Sequence, residues 1–469
     1  MAYFNFKKWN LILGWLAFLI AFITYSLTVE PTVSFWDAGE YILTSSKLQV
    51  GHPPGAPFFQ MMGAFFSVFA SDPTQIGLMI NMMSATASAF TILFMFWSIV
   101  LLIKQVVKND NESSKGQNAA ILGAAFVGSL SFAFTDSFWF NAVETEVYAM
   151  ATLIMAVLFY LGLRWGNDMF TPRGNKWLIL ISFVVGLSFG VHFMGLLTIP
   201  AIGLIYYFKN YKTITVRNFI LANLAGIAVL LFVFKLLAPN ILKYFSALEI
   251  FFVNSIGLPF NSGSIIAFVL LVGGIVFGIN FTRKKNYVTL NTALLCITFV
   301  VVGFSSWLML PIRANANVTV NENNPSSARE LLAYYNLEQY PKTHLFYGPQ
   351  FTDQYAGLDE NQPYVDDKPK YEKDKTLGKY VIVNDYKDGL QNYNSEHASL
   401  LPRMWSSEHA ENYMMYSGFL DFSIKSDYQM QNDLRSVIND FKNAVANGEV
   451  DYEDYHSFLK KYGRYIDIE

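Results

Sequence analysis

The chain has 469 residues, of which 53% are apolar, 17% are aromatic and only 15% are charged, and its formal net charge is −3. This composition is too apolar for a soluble enzyme of that length and indicates a multi-pass membrane protein. The sequence contains no basic stripe of the kind that binds nucleic acid, so no nucleic-acid partner is expected.

The charges divide the chain into two regions. Residues 1–310 hold 17 basic and 11 acidic residues and carry a net charge of +6, whereas residues 311–469 hold 16 basic and 25 acidic residues and carry −9. We therefore predict a transmembrane domain at 1–310 and an acidic extracytoplasmic domain of mixed structure at 311–469. The single cysteine, Cys296, lies in an apolar run, which excludes an intrachain disulfide.

The apolar runs of the first region predict a mainly α-helical fold with about nine membrane spans, because crossing a bilayer takes about 20 apolar residues. The run 177–208 is too long for one span and short for two. We predict two short helices that turn near Gly190 and His192, and one long tilted helix is the alternative. Residues 239–263 are predicted to form an outer loop. The clear spans are approximately 11–30, 75–103, 118–135, 147–163, 218–238, 264–281 and 287–310.

The basic residues orient these spans. If the chain crosses at every predicted span, 14 of the 17 basic residues of the first region fall on one side, which places the N-terminus in the cytoplasm. This count requires residues 177–208 to cross twice. The same topology collects eight of the 11 acidic residues at the outer face. Because Asp and Glu contribute little to orientation, their clustering indicates a site there.

The first outer segment holds the main candidates for chemistry. Asp37 and Glu40 are three residues apart and would share one face of a short helix, and His52 follows in a proline-rich turn. Carboxylates placed just outside a bilayer could present a general base to a lipid-borne substrate. The alternative is that Asp37 only caps a surface helix that carries Glu40 in its next turn.

Four further candidates lie at the predicted outer face. Glu144 and Glu146 follow the third span, where the alternative to a site is a helix N-terminus whose dipole favours acids. His192 lies at the predicted outer turn, and a packing role is its alternative. Arg313 lies at the end of the ninth span, where it could hold a phosphate bidentately or extend to the lipid headgroups.

These segments occur in a recognisable order. The stretch 35–41 reads Phe-Trp-Asp-Ala-Gly-Glu-Tyr, 51–55 reads Gly-His-Pro-Pro-Gly and 142–148 reads Ala-Val-Glu-Thr-Glu-Val-Tyr. Further matches occur at 190–192, 310–314, 321–323 and 347–349. In this combination the chain resembles the bacterial protein O-mannosyltransferase-like family, which belongs to the GT-C superfamily of membrane glycosyltransferases. The resemblance covers nearly the whole chain.

The resemblance implies a GT-C-like transmembrane helix bundle in the bacterial inner membrane, with the active site and the C-terminal domain outside the cytoplasm. It also implies a polyprenyl-phosphate-linked sugar as donor and an acidic catalytic residue in the first outer loop, where Asp37 matches and Glu40 is its neighbour. Family members usually continue further along the chain. The resemblance therefore implies a truncated form, or one part of a split protein that works with a downstream segment or a partner subunit.

We therefore predict a hexosyltransferase that moves a sugar, with mannose as the first candidate, from polyprenyl phosphate to Ser or Thr hydroxyls of exported proteins. Asp37 would take the proton of the acceptor, Glu40 would orient Asp37 or raise its basicity, and Arg313 would neutralise the departing phosphate. The remaining candidates are assigned to acceptor or sugar recognition: His52, Glu144, Glu146 and His192.

This reaction requires no cofactor and no metal, and its partners are membrane lipid, the lipid-linked sugar and the exported acceptor. Three alternatives stay open. The first is transfer to a glycan or lipid in place of protein. The second is a transporter, which the absence of an inverted repeat in the sequence disfavours. The third is a non-catalytic membrane subunit that presents its acidic outer domain to partners.

Overall fold

The computed structural model describes residues 5–107, 114–340, 344, 346–402, 410–425 and 432–468. The chain forms two compact units, Met1–Gln339 and Tyr340–Glu469. The first unit is helical. Among the described residues, every paired strand lies in the second unit, so that the chain is mainly α-helical with a small strand-containing C-terminal region.

This division differs from the predicted domain boundary at residue 310, because residues 311–339 belong to the helical unit. A parallel β-bridge joins Asn321 to Val50 near the start of the chain. Tyr334 and Tyr335 are buried in the core of the same unit. The segment that follows the last apolar helix is therefore packed onto the helices and does not start a new domain.

The helical unit contains both short and long α-helices. In chain order they are α1 Phe6–Thr28, α2 Ala38–Ser46, α3 Pro57–Ser67, α4 Ile76–Val106, α5 Lys115–Ala133, α6 Asp136–Ala142, α7 Val147–Asp168, α8 Gly174–Ser188, α9 Thr198–Asn210, α10 Val216–Leu231, α11 Ala238–Ile250, α12 Ser262–Lys284, α13 Val288–Phe304, α14 Met309–Asn315 and α15 Ala328–Tyr335. Short 3-10 helices lie at Pro73–Gln75, Phe193–Leu197 and Ser305–Leu308, and π-helical turns at Phe232–Leu237 and Phe251–Ser255.

Six helices within the described residues are long and apolar enough to cross a membrane: Phe6–Thr28, Pro73–Val106, Val147–Asp168, Val216–Ser255, Ser262–Lys284 and Val288–Asn315. A seventh span results if α5 and α6, which are bent by 69° at their junction, form one broken span. The chain is therefore a multi-pass membrane protein, but the nine predicted spans are not confirmed.

Apart from the bent pair α5 and α6, the difference in span number comes from the run 177–208. It forms two helices that are separated near the predicted turn, because α8 ends at Ser188 and α9 begins at Thr198. The single tilted helix is therefore wrong. However, α8 has 15 residues and α9 has 13. At about 1.5 Å per residue, neither helix reaches the roughly 30 Å of a hydrocarbon core.

The outer loop predicted at 239–263 is also wrong, because the helix that starts at Val216 continues to Ser255. Pro239 does not end this helix. It lies in the first turn of α11, directly after a π-helical turn in which the backbone hydrogen bonds are already rearranged. The Glu249 side chain then closes the connection to α12, since it accepts hydrogen bonds from the backbone N–H groups of Asn261 at 2.6 Å and Ser264 at 2.8 Å.

Helices α8 and α13 cross at two glycines that allow their backbones to touch. A Cβ atom on Gly186 would collide with the carbonyl oxygen of Val300, and one on Gly303 with that of Phe183. Small residues let two membrane helices approach closely. The crossing fixes the end of α8, after which the Gly190 carbonyl accepts hydrogen bonds from backbone N–H groups in the first turn of α3.

Within its described residues, the second unit contains short antiparallel strand pairs and four α-helices. Its strands are β1 Tyr347–Pro349, β2 Tyr364–Val365, β3 Lys370–Asp374, β4 Lys379–Asn384, β5 Leu390–Gln391, β6 Ala398–Leu400, β7 Phe422–Ile424 and β8 Ile466–Ile468, paired β1 with β6, β2 with β5, β3 with β4 and β7 with β8. Its helices are α16 Asp353–Ala356, α17 Ala410–Ser417, α18 Asn432–Ala446 and α19 Tyr452–Tyr462. Phe422, Ile438, Tyr455 and Phe458 form part of its core.

Replacing Gly303 by Ala is expected to push α8 and α13 apart, because the nearest atoms to the new methyl group are backbone atoms. Overpacking of this kind costs about 1–3 kcal/mol. Thermal unfolding in detergent, followed by tryptophan fluorescence, should therefore occur at a lower temperature. Gly273→Ala in α12 is the control, because a Cβ there meets nothing within 4 Å. Equal unfolding temperatures for the two variants would contradict the close crossing.

Candidate active site

Asp37 immediately precedes α2 and occupies its N-cap position. Its side chain accepts no hydrogen bond from the backbone of the helix. The alternative in which the Asp37 carboxylate caps the helix is therefore wrong. The side chain is 58% exposed. Asp37 therefore presents an accessible carboxylate at the start of a short helix that carries Glu40 in its first turn.

His52 lies between the two predicted acids. Its Nδ1 is 2.9 Å from one carboxylate oxygen of Glu40, and its backbone N–H donates to the other at 2.6 Å. Its Nε2 is 3.8 Å from a carboxylate oxygen of Asp37. Asp37 and Glu40 therefore share one face, as the i,i+3 spacing predicts, and the imidazole ring of His52 joins them.

The hydrogen bond between these side chains shifts both of their pKa values. It lowers the pKa of Glu40 against the opposing effect of burial. The same bond raises the pKa of His52, again against burial, and the charges of Glu40, Asp37 and Glu322 raise it further. An ionised carboxylate only accepts hydrogen bonds, so the Nδ1 of His52 carries a proton and donates to Glu40. The cationic form of His52 is favoured at this site.

Glu144 and Glu146, in the connection from α6 to α7, are 3% and 6% exposed. Burial, and next the charges of Asp37 and Glu144, raise the pKa of Glu146 to about 7, and backbone hydrogen bonds from Asp37 and Val147 oppose the shift. Burial also raises the pKa of Glu144. Glu146 is the N-cap residue of α7, as the alternative predicts, but both acids are buried and not solvated. The structure brings Glu146 to Asp37.

Asn81 of α4 ties the two acidic connections together, and sequence reasoning missed it. Its side-chain amide donates to the carbonyl oxygens of Glu30 at 2.7 Å and Thr32 at 2.9 Å, and its side-chain oxygen accepts a hydrogen bond from the Thr145 hydroxyl. Asn81 is 1% exposed. A buried amide within an otherwise apolar span is the signal that could have identified it.

His192 bonds to the backbone of its own turn. Its Nδ1 accepts a hydrogen bond of 3.1 Å from the backbone N–H of Met194, which caps the 3-10 helix Phe193–Leu197. Burial lowers the pKa of His192, which favours its neutral form, and the ring lies 5.4 Å from the ring of Tyr148. These contacts give His192 a capping role, and its role in substrate recognition stays a prediction.

Arg313 lies on the turn that follows α2. Its Nε donates to the carbonyl oxygen of Leu48 at 2.5 Å, and one of its terminal nitrogens donates to that of Lys47 at 3.0 Å. The side chain therefore bonds to the protein backbone and does not extend to lipid headgroups. The phosphate-binding role of Arg313 stays a prediction.

Two residues of the segment that follows α14 reach the site although sequence reasoning gave them no role. The backbone N–H of Glu322 donates to the Val50 carbonyl at 3.1 Å. Burial and then the charge of Glu40 raise the pKa of Glu322, while His52 opposes the shift, so its carboxylate faces their pair. The Tyr334 hydroxyl donates to the Gly51 carbonyl at 2.5 Å. In the described residues, no group of three or more His, Cys, Asp or Glu side chains has the geometry to hold a metal ion.

Glu40→Gln is expected to destabilise the chain by on the order of 1–2 kcal/mol, because it weakens a hydrogen bond to a charged partner. The pKa of Glu40 is lowered, so its contribution is present above the ordinary value of 4.5 and is lost as the pH falls. The pKa of His52 is raised, so its contribution is present below the ordinary value of 6.5 and is lost as the pH rises. The decrease in unfolding temperature should therefore be largest between pH 4.5 and 6.5.

The control for this variant is Glu338→Gln, which neutralises an exposed carboxylate of the same unit. It should change the unfolding temperature little at any pH. A decrease for Glu40→Gln that is the same from pH 4 to pH 9 would show that the ionised pair contributes no stability.

Two family models match the chain. Residues 37–215 match the N-terminal domain of the protein O-mannosyl-transferase TMEM260, and residues 341–436 match a family of unknown function, DUF8416. The first match begins at Asp37 and includes all the predicted site residues except Arg313. No solved structure matches the chain at a significant level.

Two curated relatives carry the same name as the first family. The chain is 26% identical over 197 residues to the protein O-mannosyl-transferase tmem260 of Dictyostelium discoideum, a match that covers 39% of this chain and 22% of that protein. It is 24% identical over 167 residues to the TMEM260 protein of Mus musculus, covering 35% of this chain and 21% of that protein.

The chain thus matches about a fifth of the length of these curated relatives. Both relatives come from eukaryotes, so the bacterial origin stays a prediction. The matched segment contains α2, the acidic connection between α6 and α7, and His52. Residues 37–215 are thus similar to the N-terminal domain of a protein O-mannosyl-transferase family, within a chain that is a multi-pass membrane protein.

Proposed function

We propose that this chain transfers a hexose, with mannose as the first candidate, from a polyprenyl-phosphate donor to Ser or Thr hydroxyls of exported proteins. The site would lie at the outer face of the bacterial inner membrane, and the N-terminus in the cytoplasm. The names of both curated relatives, protein O-mannosyl-transferases, support the reaction class.

The observation that carries the proposal is the accessible carboxylate of Asp37 beside His52. Asp37 is 58% exposed, so an acceptor hydroxyl can approach it. Glu40, by contrast, uses both of its carboxylate oxygens on His52. This division of contacts supports Asp37 as the general base and Glu40 as the residue that orients the base through His52.

In the proposed reaction the acceptor oxygen forms a bond to the anomeric carbon of the sugar. The bond between that carbon and the phosphate oxygen breaks, and its electron pair leaves on the polyprenyl phosphate. The Asp37 carboxylate takes the proton of the acceptor hydroxyl as the new bond forms. General-base assistance of this kind contributes about a hundredfold to ten-thousandfold in rate. The positive charge of His52, 3.8 Å from Asp37, holds the base in place.

Glu146 is proposed to bind a hydroxyl group of the sugar or of the acceptor. Its carboxyl group is buried next to Asp37, and its pKa of about 7 leaves it neutral in part of the molecules near neutral pH. A neutral carboxyl group can donate one hydrogen bond and accept another, which suits a sugar hydroxyl. Glu144 and His192 are proposed to contribute to recognition of the sugar and the acceptor. For Arg313, a role at the donor phosphate stays a prediction.

Asp37→Asn is expected to lower the transfer of labelled mannose from polyprenyl-phosphate mannose to a Ser/Thr peptide by about a hundredfold or more, because the amide cannot accept the proton. Donor affinity should be unchanged, since the amide preserves the size of the side chain. The measurement compares purified wild type and variant, with their unfolding temperatures checked.

Asp136→Asn is the matched control, because Asp136 is an exposed acid of the same unit outside the site. It should transfer mannose at the wild-type rate. Full activity of Asp37→Asn would remove Asp37 from the mechanism. Transfer by the wild type from another lipid-linked sugar but not from the mannose donor would correct the donor, and transfer only to glycan or lipid acceptors would correct the acceptor.

A further inference from the structure

The turn that follows α2 has a strained backbone. The N–H of Leu48 donates to the Ser45 carbonyl at 3.2 Å and that of Gln49 to the Thr44 carbonyl at 2.8 Å, which is the hydrogen-bond pattern of a Schellman C-cap. The left-handed position of this motif usually holds glycine. Here Leu48 occupies it with φ of +48°. A side chain in this conformation costs roughly 1–2 kcal/mol, so other contacts must hold the turn.

Arg313 supplies two of those contacts. Its guanidinium group donates to the carbonyl oxygens on both sides of the strained position, those of Lys47 and Leu48. A planar guanidinium can bind two acceptors at once in a fixed geometry, which a lysine cannot. Arg313 thereby holds these two carbonyl groups in the orientation that the left-handed residue imposes.

The next three residues of the turn are held by the same segment of chain. The side-chain oxygen of Gln49 accepts a hydrogen bond from the Val320 N–H at 2.9 Å, and the Val50 N–H donates to the Val320 carbonyl at 3.0 Å. The carbonyl of Gly51 accepts the hydrogen bond of Tyr334 at 2.5 Å. Residues 47–51, which we call the α2 turn, are therefore each bonded to residues 313–334, and His52 comes next.

We propose that Arg313 and Tyr334 are positioning residues, which hold the α2 turn so that the His52 ring meets Glu40 and Asp37. Arg313 bonds to the backbone carbonyls of Lys47 and Leu48, and Tyr334 bonds to that of Gly51, so their effect on His52 passes through the backbone of the turn. As far as it concerns transfer, this inference rests on the proposed function. The geometry of His52 can be tested without it.

The proposal and the phosphate-binding role of Arg313 lead to opposite expectations. A phosphate ligand acts on the donor, so its loss raises the KM for the donor, and a change in the α2 turn cannot repair it. A positioning residue acts on the His52 pair, so its loss lowers kcat with an unchanged donor KM. Relief of the strain at Leu48 should then restore part of the activity, because glycine adopts the left-handed conformation without a steric cost.

The first experiment measures the pKa of His52 by NMR in the full chain in detergent, with the signal assigned by a His52→Gln variant. The charged groups that face His52 are Glu40, Asp37 and Glu322. We expect Arg313→Ala to move the pKa of His52 toward its ordinary value of 6.5, because the ring loses its fixed position against Glu40. The double variant Arg313→Ala, Leu48→Gly should recover part of the shift, and Leu48→Asn can replace it if Leu48→Gly fails to fold.

Arg217→Ala is the matched control, because Arg217 is an exposed arginine of α10 outside the site, and its removal should leave His52 unchanged. An unchanged pKa of His52 in Arg313→Ala would overturn the proposal for Arg313. This readout needs no enzymatic activity, so it also decides the question if the wild type transfers no sugar and the proposed function fails.

The second experiment measures transfer. We expect Arg313→Ala to lower kcat by about tenfold to a hundredfold with the donor KM within twofold of the wild type. Arg313→Lys should behave in the same way, because the lysine ammonium lacks the fixed planar geometry with which the guanidinium holds both carbonyls. An increased donor KM that Leu48→Gly does not reduce would establish the phosphate role in place of the positioning role.

Tyr334→Phe tests the second positioning residue. It removes one hydroxyl group and should shift the pKa of His52 in the same direction as Arg313→Ala, to a smaller extent. Its control is Tyr335→Phe, because the neighbouring hydroxyl donates to the Phe234 carbonyl at 3.1 Å, away from the α2 turn. Equal His52 pKa values in the wild type and Tyr334→Phe would remove Tyr334 from the proposal.

Discussion

The candidate site depends on the two hydrogen bonds through which Glu40 holds His52, one to the ring and one to the backbone. The bond to the backbone N–H of His52 fixes the position of the chain after the α2 turn. The bond to the Nδ1 of His52 leaves the Nε2 of the ring facing Asp37. Because both bonds come from one carboxylate on a short helix, a small displacement of α2 or of the turn would break them together. This explains why so many contacts converge on residues 47–51.

Three further connections between helices, those after α1, α6 and α8, form hydrogen bonds at the same end of the helical unit. The connection after α1 is bonded to that after α6, through the Glu30 N–H and the Val143 carbonyl at 2.9 Å and through Asn81. The first turn of α3 is bonded to the Gly190 carbonyl after α8. The site is therefore assembled from segments that are far apart in sequence, and the close crossing of α8 and α13 sets the position of one of them.

Much of this could be predicted from the sequence, because apolar length and local spacing are local properties. The long spans, the separation of α8 from α9, and the common face of Asp37 and Glu40 follow from such patterns. The number of spans could not be predicted, since it depends on where two short helices end. The prediction of an outer loop at 239–263 is wrong because it treats Pro239 as a helix breaker. In the structure Pro239 follows a π-helical turn, and the helix continues through it.

Two site residues, Tyr334 and Glu322, were not predicted from the sequence for the same physical reason. Both form hydrogen bonds to residues that lie more than 250 positions earlier in the chain, and such contacts leave no local pattern in the sequence. Arg313 was recognised by its charge and its place at the end of a span, but its bonds to two backbone carbonyls depend on the left-handed conformation of Leu48. That conformation is not visible in a sequence without glycine at this position.

The helix Val216–Ser255 is longer than a membrane span requires. Its 40 residues extend for about 60 Å, twice the roughly 30 Å of a hydrocarbon core. Lys235 lies at its middle, and Lys243 and Glu249 lie in its second half. In that half, α11 packs against α15, which carries Tyr334. Under the proposed function, the length of this helix would set the height above the bilayer at which a sugar on a membrane-bound phosphate meets Asp37.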